Sequence, residues 1–334
     1  GVTIWEYIQE IEGDDLEDDL ALVWETMKKS ISNGLQANGT LPGDLKLRRK
    51  ARSYHIRAKM QNEFAKDHLR VFGYDVDDPV QQGIWNAIIE PNWQINETWK
   101  LAWIAALKQR LPTVSEQFGF YLFNALDGFD YIGNPTLVPE SALQGEMNVD
   151  FTKKAFSLNL AGFYYHLNNY IVGVIDPELS TMTIGANGVK VYQSIDQAYM
   201  TGFEASAYLN KEKFTWANVL NFTYGKDSNN EVLPQLPPLK LTSTFTIKAK
   251  KWDLSPELVG AIGKNEVRES YGETAAPSWM IANIKGSYYL DKKTSWVIQA
   301  GIENIFNSYY YEFLDWGQIP RQGINFYVNA TFKF

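Results

Sequence analysis

The chain has 334 residues, no cysteine and a formal net charge of −8, with 45% hydrophobic and 14% aromatic residues. The missing cysteines exclude disulfides, thiolate nucleophiles and Cys-ligated zinc or iron–sulfur centres. No basic block offsets the acidic balance, so nucleic acid is not an expected partner, and no run approaches the roughly 18 apolar residues of a transmembrane helix.

The mean hydropathy of −0.30 is that of a water-soluble protein. A transmembrane barrel gives similar values, because half of its strand residues face a polar lumen. The 19 Tyr, 18 Phe and 11 Trp would supply aromatic girdles. His55, His68 and His166 lie far apart without metal-ligand spacing and read as surface or lumen residues. No catalytic residue, metal ligand or cofactor is therefore expected. Gly1 opens the chain without the charged and apolar regions of a signal peptide, as a mature or shortened chain would.

Residues 1–66 read as a helical segment. Ile4, Tyr7, Ile8 and Ile11 recur at helix spacing, and Asp14 and Asp15 open a second stretch with acids in its first turn. Its stripe is Leu16, Leu20, Val23, Trp24, Met27 and Ile31, stopped by Gly34. A basic helix is expected from Leu45 to about Lys66, its lysines and arginines on a solvated face. Residues 67–83 form a linker, with Asp75–Pro79 as a loop.

Ile4-Trp5-Glu6-Tyr7, Val23-Trp24-Glu25-Thr26-Met27, Gly34-Leu35 and the run from Leu41 to Ala51 resemble iron–sulfur-dependent bacterial L-serine dehydratase. The resemblance covers residues 1 to about 60 and implies shared ancestry of a helical fragment. It does not extend to serine deamination, since no Cys is present to hold the cluster. Its presence beside a different pattern suggests a fusion, a misassembled frame or a joined sequence.

From about residue 84 the period changes to two, the mark of strands with one apolar and one polar face. Ile84–Ile95 turns at Asn96-Glu97 into Thr98–Lys108, and Leu143–Phe151 turns at Lys153-Lys154 into Phe156–Tyr164. Tyr199–Leu209 and Phe214–Tyr224 flank Lys211-Glu212, Leu239–Ala249 and Trp252–Lys264 flank Lys250-Lys251, and Met280–Tyr288 and Trp296–Phe306 flank Asp291–Lys293. The last strand is Ile324–Phe334. The connections between these hairpins, near 110–140, 172–190, 226–237, 265–277 and 307–321, are long. Short turns alternating with long loops are the plan of an outer-membrane barrel. The expected fold is mainly β: about ten strands of an antiparallel transmembrane β-barrel meander over 84–334, after an N-terminal α-helical segment.

Specific stretches carry a second resemblance. They are Leu111–Gly119 with Pro112 and Glu116, Gly133-Asn134-Pro135 through Pro139-Glu140, Thr201-Gly202-Phe203-Glu204, and Gly301–Tyr311 with Asn304, Phe306 and Asn307. In this order, ending on Phe334, they resemble the C-terminal half of the barrel of TonB-dependent outer-membrane receptors. Beside the resemblance, Gly133-Asn134-Pro135 is turn chemistry, and Gly202 inside a strand suggests close approach or a bend. Glu204 is expected to line the lumen, and these motif residues read as structural. The family's barrel has about 22 strands and a plugged lumen. The resemblance therefore implies the barrel part of a receptor for a scarce large solute such as an iron chelate, vitamin or oligosaccharide, not transport-competent alone. It further implies the outer membrane of a Gram-negative bacterium, its lipid as a partner, and the TonB system as a partner only where a plug and a TonB-contacting segment exist elsewhere. Alternatives are a serine dehydratase fragment and a passive porin.

Alternation also assigns faces. Leu239, Leu241, Phe245, Ile247, Ile284, Ile298, Ile302, Phe326, Val328 and Phe332 are expected toward lipid. Lys240, Thr242, Gln299, Asn325, Asn329 and Thr331 are expected toward the lumen.

Overall fold

The computed structural model describes residues 44–60, 63–290 and 296–332. Its strands are β1 (Asp44–Ala58), β2 (Val80–Gln94), β3 (Trp99–Arg110), β4 (Leu122–Asn124), β5 (Phe129–Ile132), β6 (Glu140–Lys153) and β7 (Phe156–Ile175). They continue with β8 (Val189–Asn210), β9 (Phe214–Asp227), β10 (Lys240–Lys248), β11 (Trp252–Ala261), β12 (Trp279–Tyr289), β13 (Trp296–Glu303) and β14 (Asn325–Phe332). All 14 belong to one sheet in the order β1-β2-β3-β6-β7-β8-β9-β10-β11-β12-β13-β14. Neighbours on this path are antiparallel, while the short β4 pairs with β5, and β5 lies parallel to β8. Among the described residues β1 and β14 are free edges and the sheet is open.

The register explains the two faces. Leu107 lies opposite Leu143, Leu220 opposite Leu241, Ile247 opposite Leu254, Ile284 opposite Ile302 and Ala300 opposite Val328. One apolar face therefore runs from β2 to β14, and its side chains stand exposed: Leu241, Phe245, Ile247, Ile284, Ile298, Phe326, Val328 and Phe332 among them. A two-sheet sandwich would bury this set between its layers. The opposite face is polar and hydrogen-bonded across strands. Glu257 on β11 accepts from Asn283 and Lys285 of β12 at 2.9 Å each and from Thr244 of β10 at 3.1 Å. Tyr165 donates to Glu146 at 2.6 Å, and Lys240 reaches Glu312 at 2.8 Å. The assignment of Lys240 to the polar face and Leu241 to the apolar one therefore holds.

All long connections leave one end of the sheet, after β1, β3, β7, β9, β11 and β13. At this end α1 (Glu63–Val71) and α2 (Val114–Phe118) join the largest buried cluster, made of Met60, Leu69, Val76, Phe118, Ile132, Val189 and Val191. The helix α1 has Glu63 in its first turn and Arg70 in its last, favourable for the helix dipole. The hairpin β7–β8, with strands of 20 and 22 residues, is twice the roughly 9–11 residues a membrane crossing needs. Its outer half thus belongs to the loop layer.

Three expectations need correction. Residues 44–58 form a strand, not the basic helix expected from Leu45 to about Lys66, and among the described residues of this stretch helix appears over Glu63–Val71. Fifteen consecutive residue pairs, from Asp44–Gln94 to Ala58–Val80, hold β1 on β2, and this sheet extension overrides local helical preference. Among the described residues the sheet thus already includes Asp44 rather than starting near residue 84. The described residues form 14 strands where about ten were expected: β1 joins the meander, and β4 and β5 form inside a stretch read as loop, beside the eleven segments traced in the sequence. The helical reading of residues 1–43 lies outside the described residues.

Candidate functional site

The loop end gathers most of the singled-out residues into two knots. In the first, Thr113 caps α2: its Oγ1 accepts from the Glu116 N–H at 3.2 Å, and Glu116 Oε2 accepts from the Thr113 N–H at 2.6 Å. This reciprocal capping box satisfies two orphan donors of the helix start. Arg110 then joins two motif carboxylates, donating to Glu116 at 2.8 Å and to Glu140 at 3.1 Å. Gly133 presses its backbone on α2, donating to the Gly119 carbonyl at 2.7 Å. A Cβ there would lie 2.5 Å from the Gly119 nitrogen, so only glycine fits. Asn134 ties the knot to β8, donating to the Tyr192 carbonyl at 3.1 Å while its Oδ1 accepts from the Thr136 N–H at 2.9 Å. Pro112 and Pro135 are buried here, and the Pro139 carbonyl accepts from Asn169 at 3.4 Å.

The second knot is Asn304, 2% exposed and held at φ +48°. Its N–H donates to Asn283 at 2.8 Å, and its Nδ2 donates to the carbonyls of Ser308 at 2.8 Å and Gln322 at 3.2 Å. Asn307 Oδ1 accepts from the Ile324 N–H at 2.9 Å, and Phe306 beside it stands exposed. These asparagines shape the connection between β13 and β14. Gly202 and Glu204 belong to neither knot. Gly202 admits the Phe163 ring, which a Cβ would meet at 2.5 Å; Glu204 is exposed on the polar face opposite Asn221. Phe334 lies outside the described residues.

A third cluster escaped sequence reasoning. Lys190, at the start of β8, is fully buried. Its ammonium donates to Asp127 Oδ2 at 2.6 Å, to the Tyr131 hydroxyl at 3.2 Å and to the Ser270 carbonyl. The rings of Phe129 and Tyr271 stand 4.4 and 4.3 Å from it. Burial pushes the Lys190 ammonium below its usual range and the Asp127 carboxylate opposes that shift. Burial and the same carboxylate push the Tyr131 hydroxyl far up. Next to this cage, Arg268 donates to Asp227 at 2.8 Å and pairs with Glu231 at 2.6 Å. The connection 262–278 is thereby pinned to β7, β8 and β9, with the Gly173 N–H donating to the Tyr271 hydroxyl at 2.8 Å. The one sequence sign was a lysine between Val189 and Val191, too slight to mark a site.

Between the loops lies an open basin of about 530 Å³ lined by Leu126, Tyr271, Glu273, Thr274, Leu314 and Asp315, among others. Arg321 forks onto Asp315, one arm at 2.7 Å, and the Glu312 N–H donates to the same carboxylate at 2.9 Å. Burial raises the Asp315 carboxyl, but these donors more than offset it and hold it below the usual carboxylate range. The basin presents mixed polar and apolar walls from separate loops.

An antiparallel meander with an exposed apolar face, a hydrogen-bonded polar face and every long loop at one end defines a class, the wall of a β-barrel. The model of the TonB dependent receptor-like β-barrel family matches residues 67–305. The chain belongs to this family. It is 23% identical over 248 residues to the "Probable TonB-dependent siderophore receptor PirA" of Acinetobacter baumannii, covering 66% of this chain and 32% of that one. Among solved structures, the copper transporter OprC superposes with a TM-score of 0.71 at 15% identity, over 86% of this chain and 45% of that one. The FrpB iron transporter of Neisseria meningitidis gives 0.63 at 13% identity, over 88% and 43%. These solved structures are alike in fold. The chain spans about a third of the curated relative and less than half of these two structures. The serine dehydratase resemblance falls on residues outside the description as far as 43, and beyond them on β1, a strand of this sheet.

Proposed function

We propose that this chain supplies part of the barrel wall of a TonB-dependent receptor in the outer membrane of a Gram-negative bacterium. Its apolar face meets lipid, and its loop end meets a scarce large solute. The observation that carries this is the continuous exposed apolar face from β2 to β14 combined with long loops at one end only. A metal chelate is the favoured solute among chelates, vitamins and oligosaccharides, because the relatives' names speak of siderophores, iron and copper. Energy-coupled import requires a plug and a TonB-contacting segment in addition to this wall. Among the described residues the wall begins at Asp44, inside the serine-dehydratase-like stretch, which has no cysteine to hold a cluster.

The test is a titration of the detergent-solubilised chain with ferric siderophores, a corrinoid and maltooligosaccharides, read by intrinsic fluorescence. Saturable binding of a chelate, weakened by Asp315→Asn and Glu273→Gln in the basin, is expected. Equal indifference to all three classes would overturn the solute reading.

A further inference from the structure

The turn end of the sheet differs chemically from the loop end. On the apolar face, aromatic residues lie within a few positions of the turns: Trp99, Phe151, Trp216, Phe245, Trp252 and Trp296. They form cross-strand contacts, with ring centroids 4.6 Å apart for Trp99 and Phe151, 5.4 Å for Phe214 and Phe245, and 4.7 Å for Trp296 and Phe332. The register makes this a band. Trp99 faces Phe151, Trp216 faces Phe245, Trp252 faces Tyr288 and Trp296 faces Phe332. Such amphipathic rings sit at the boundary between hydrocarbon and headgroups.

Immediately beyond the band come the turns of three hairpins. They expose Lys153 and Lys154, Lys211 and Lys213, and Lys250 and Lys251, against the single acid Glu212. Among the described residues none of these six ammonium groups has an ion-pair or hydrogen-bond partner. On the polar face, by contrast, Lys240 finds Glu312 and Lys285 finds Glu257. Free cations held at one height just past an aromatic band meet the phosphate plane of a bilayer.

We propose that this rim docks on anionic glycerophospholipid headgroups, so that the leaflet at the turn end is recognised by charge as well as by burial. This rests on the reading of the sheet as a membrane-spanning wall. Each lysine near an anionic surface adds attraction that salt screens. The occupant is a lipid headgroup in a bilayer, since the aromatic band beside them sets these ammonium groups in a row along the hydrocarbon boundary, where a leaflet presents its phosphates.

The test uses the full chain with vesicles of pure phosphatidylcholine and of phosphatidylcholine containing phosphatidylglycerol. Partition onto the anionic vesicles should exceed that onto the neutral ones by on the order of tenfold or more at low salt, and the excess should vanish at high salt. The sixfold variant Lys153→Gln, Lys154→Gln, Lys211→Gln, Lys213→Gln, Lys250→Gln, Lys251→Gln should lose the preference, and the corresponding Lys→Arg variant should keep it. A preference that survives neutralisation, or one absent from the wild type, overturns the proposal. If the glutamine variant fails to fold, the salt titration of the wild type and the arginine variant decide. Quenching of Trp fluorescence by brominated phosphatidylcholine in the neutral vesicles reports insertion separately. Loss of that quenching sinks the membrane-wall reading, whereas quenching without charge preference sinks only the docking of the rim. Inorganic phosphate should not compete at concentrations matched for ionic strength; competition beyond the salt effect would contradict the lipid assignment.

Discussion

The ammonium of Lys190 lies 2.6 Å from the Asp127 carboxylate, with side-chain exposures of 0% and 1%. The two residues are 63 apart in sequence, and their contact fastens the β3–β6 connection to the start of β8. A pair this deep offers little net stability, because both charges forgo water, yet breaking it strands one of them. Lys190→Met should therefore destabilise the loop layer by about 3–5 kcal/mol. Hydrogen exchange should quicken in 111–139 and 262–278 while the strands at the turn end keep their protection. Unchanged exchange in both loops would show that the pair does not hold them.

Gly133 and Gly162 make a matched comparison. A Cβ at Gly133 would crowd the backbone of 117–119, including the Gln117 carbonyl carbon at 2.7 Å, whereas one at Gly162 has no other atom within 4 Å. Gly133→Ala should cost about 1–3 kcal/mol in thermal unfolding, and Gly162→Ala should be close to neutral. Equal effects would mean that the α2 knot is softer than its geometry.

Asn304 serves both through its φ of +48° and through its side-chain hydrogen bonds. Asn304→Gly keeps the backbone conformation and loses the bonds; Asn304→Ala loses both. We expect the connection 304–324 to loosen in both variants, by about 1–3 kcal/mol for the lost bonds, with alanine worse by roughly a further 1 kcal/mol. Proteolytic nicking of 304–324 would read the order. Glycine as damaging as alanine would remove backbone strain from the explanation.

Asp315 gives a pH dependence with a definite sign. Its folded pKa lies below the ordinary carboxylate value: burial raises it, but the donors from Arg321 and Glu312 prevail. The unfolded loop thus binds the proton more readily, so the stabilisation is present above the unfolded pKa, near 3.8, and is lost as pH falls through the lower folded value. Protection of 304–324 should fall on acidification into that window, and Asp315→Asn should flatten this component. An unchanged profile in the variant would assign the acid effect to other groups.

Period-two alternation made the strands of the meander from β2 to β14 legible, because a strand with one apolar face writes its faces into consecutive residues. The edge strand β1 was not legible, since Arg49, His55 and Arg57 interrupt its apolar face and helical propensity fits the same residues. The motifs around Glu116, Gly133 and Asn304 could be located in the sequence, but their partnership through Arg110 and Asn283 could not. Nor could the Lys190 cage, whose contacts reach across 59 to 80 residues and leave no local pattern.

The central claim is that the face carrying Phe245, Ile298 and Val328 meets lipid while the other lines a lumen. The chain has no cysteine, so each introduced one carries a single label. Spin labels at 245, 298 and 328, and at 242, 299 and 329 on the opposite face, should be compared in membrane-reconstituted protein for contact with oxygen and with a water-soluble relaxant. The account predicts oxygen contact with little relaxant contact for the first three and the reverse for the second. Water contact or tight burial at 245, 298 and 328 would contradict it.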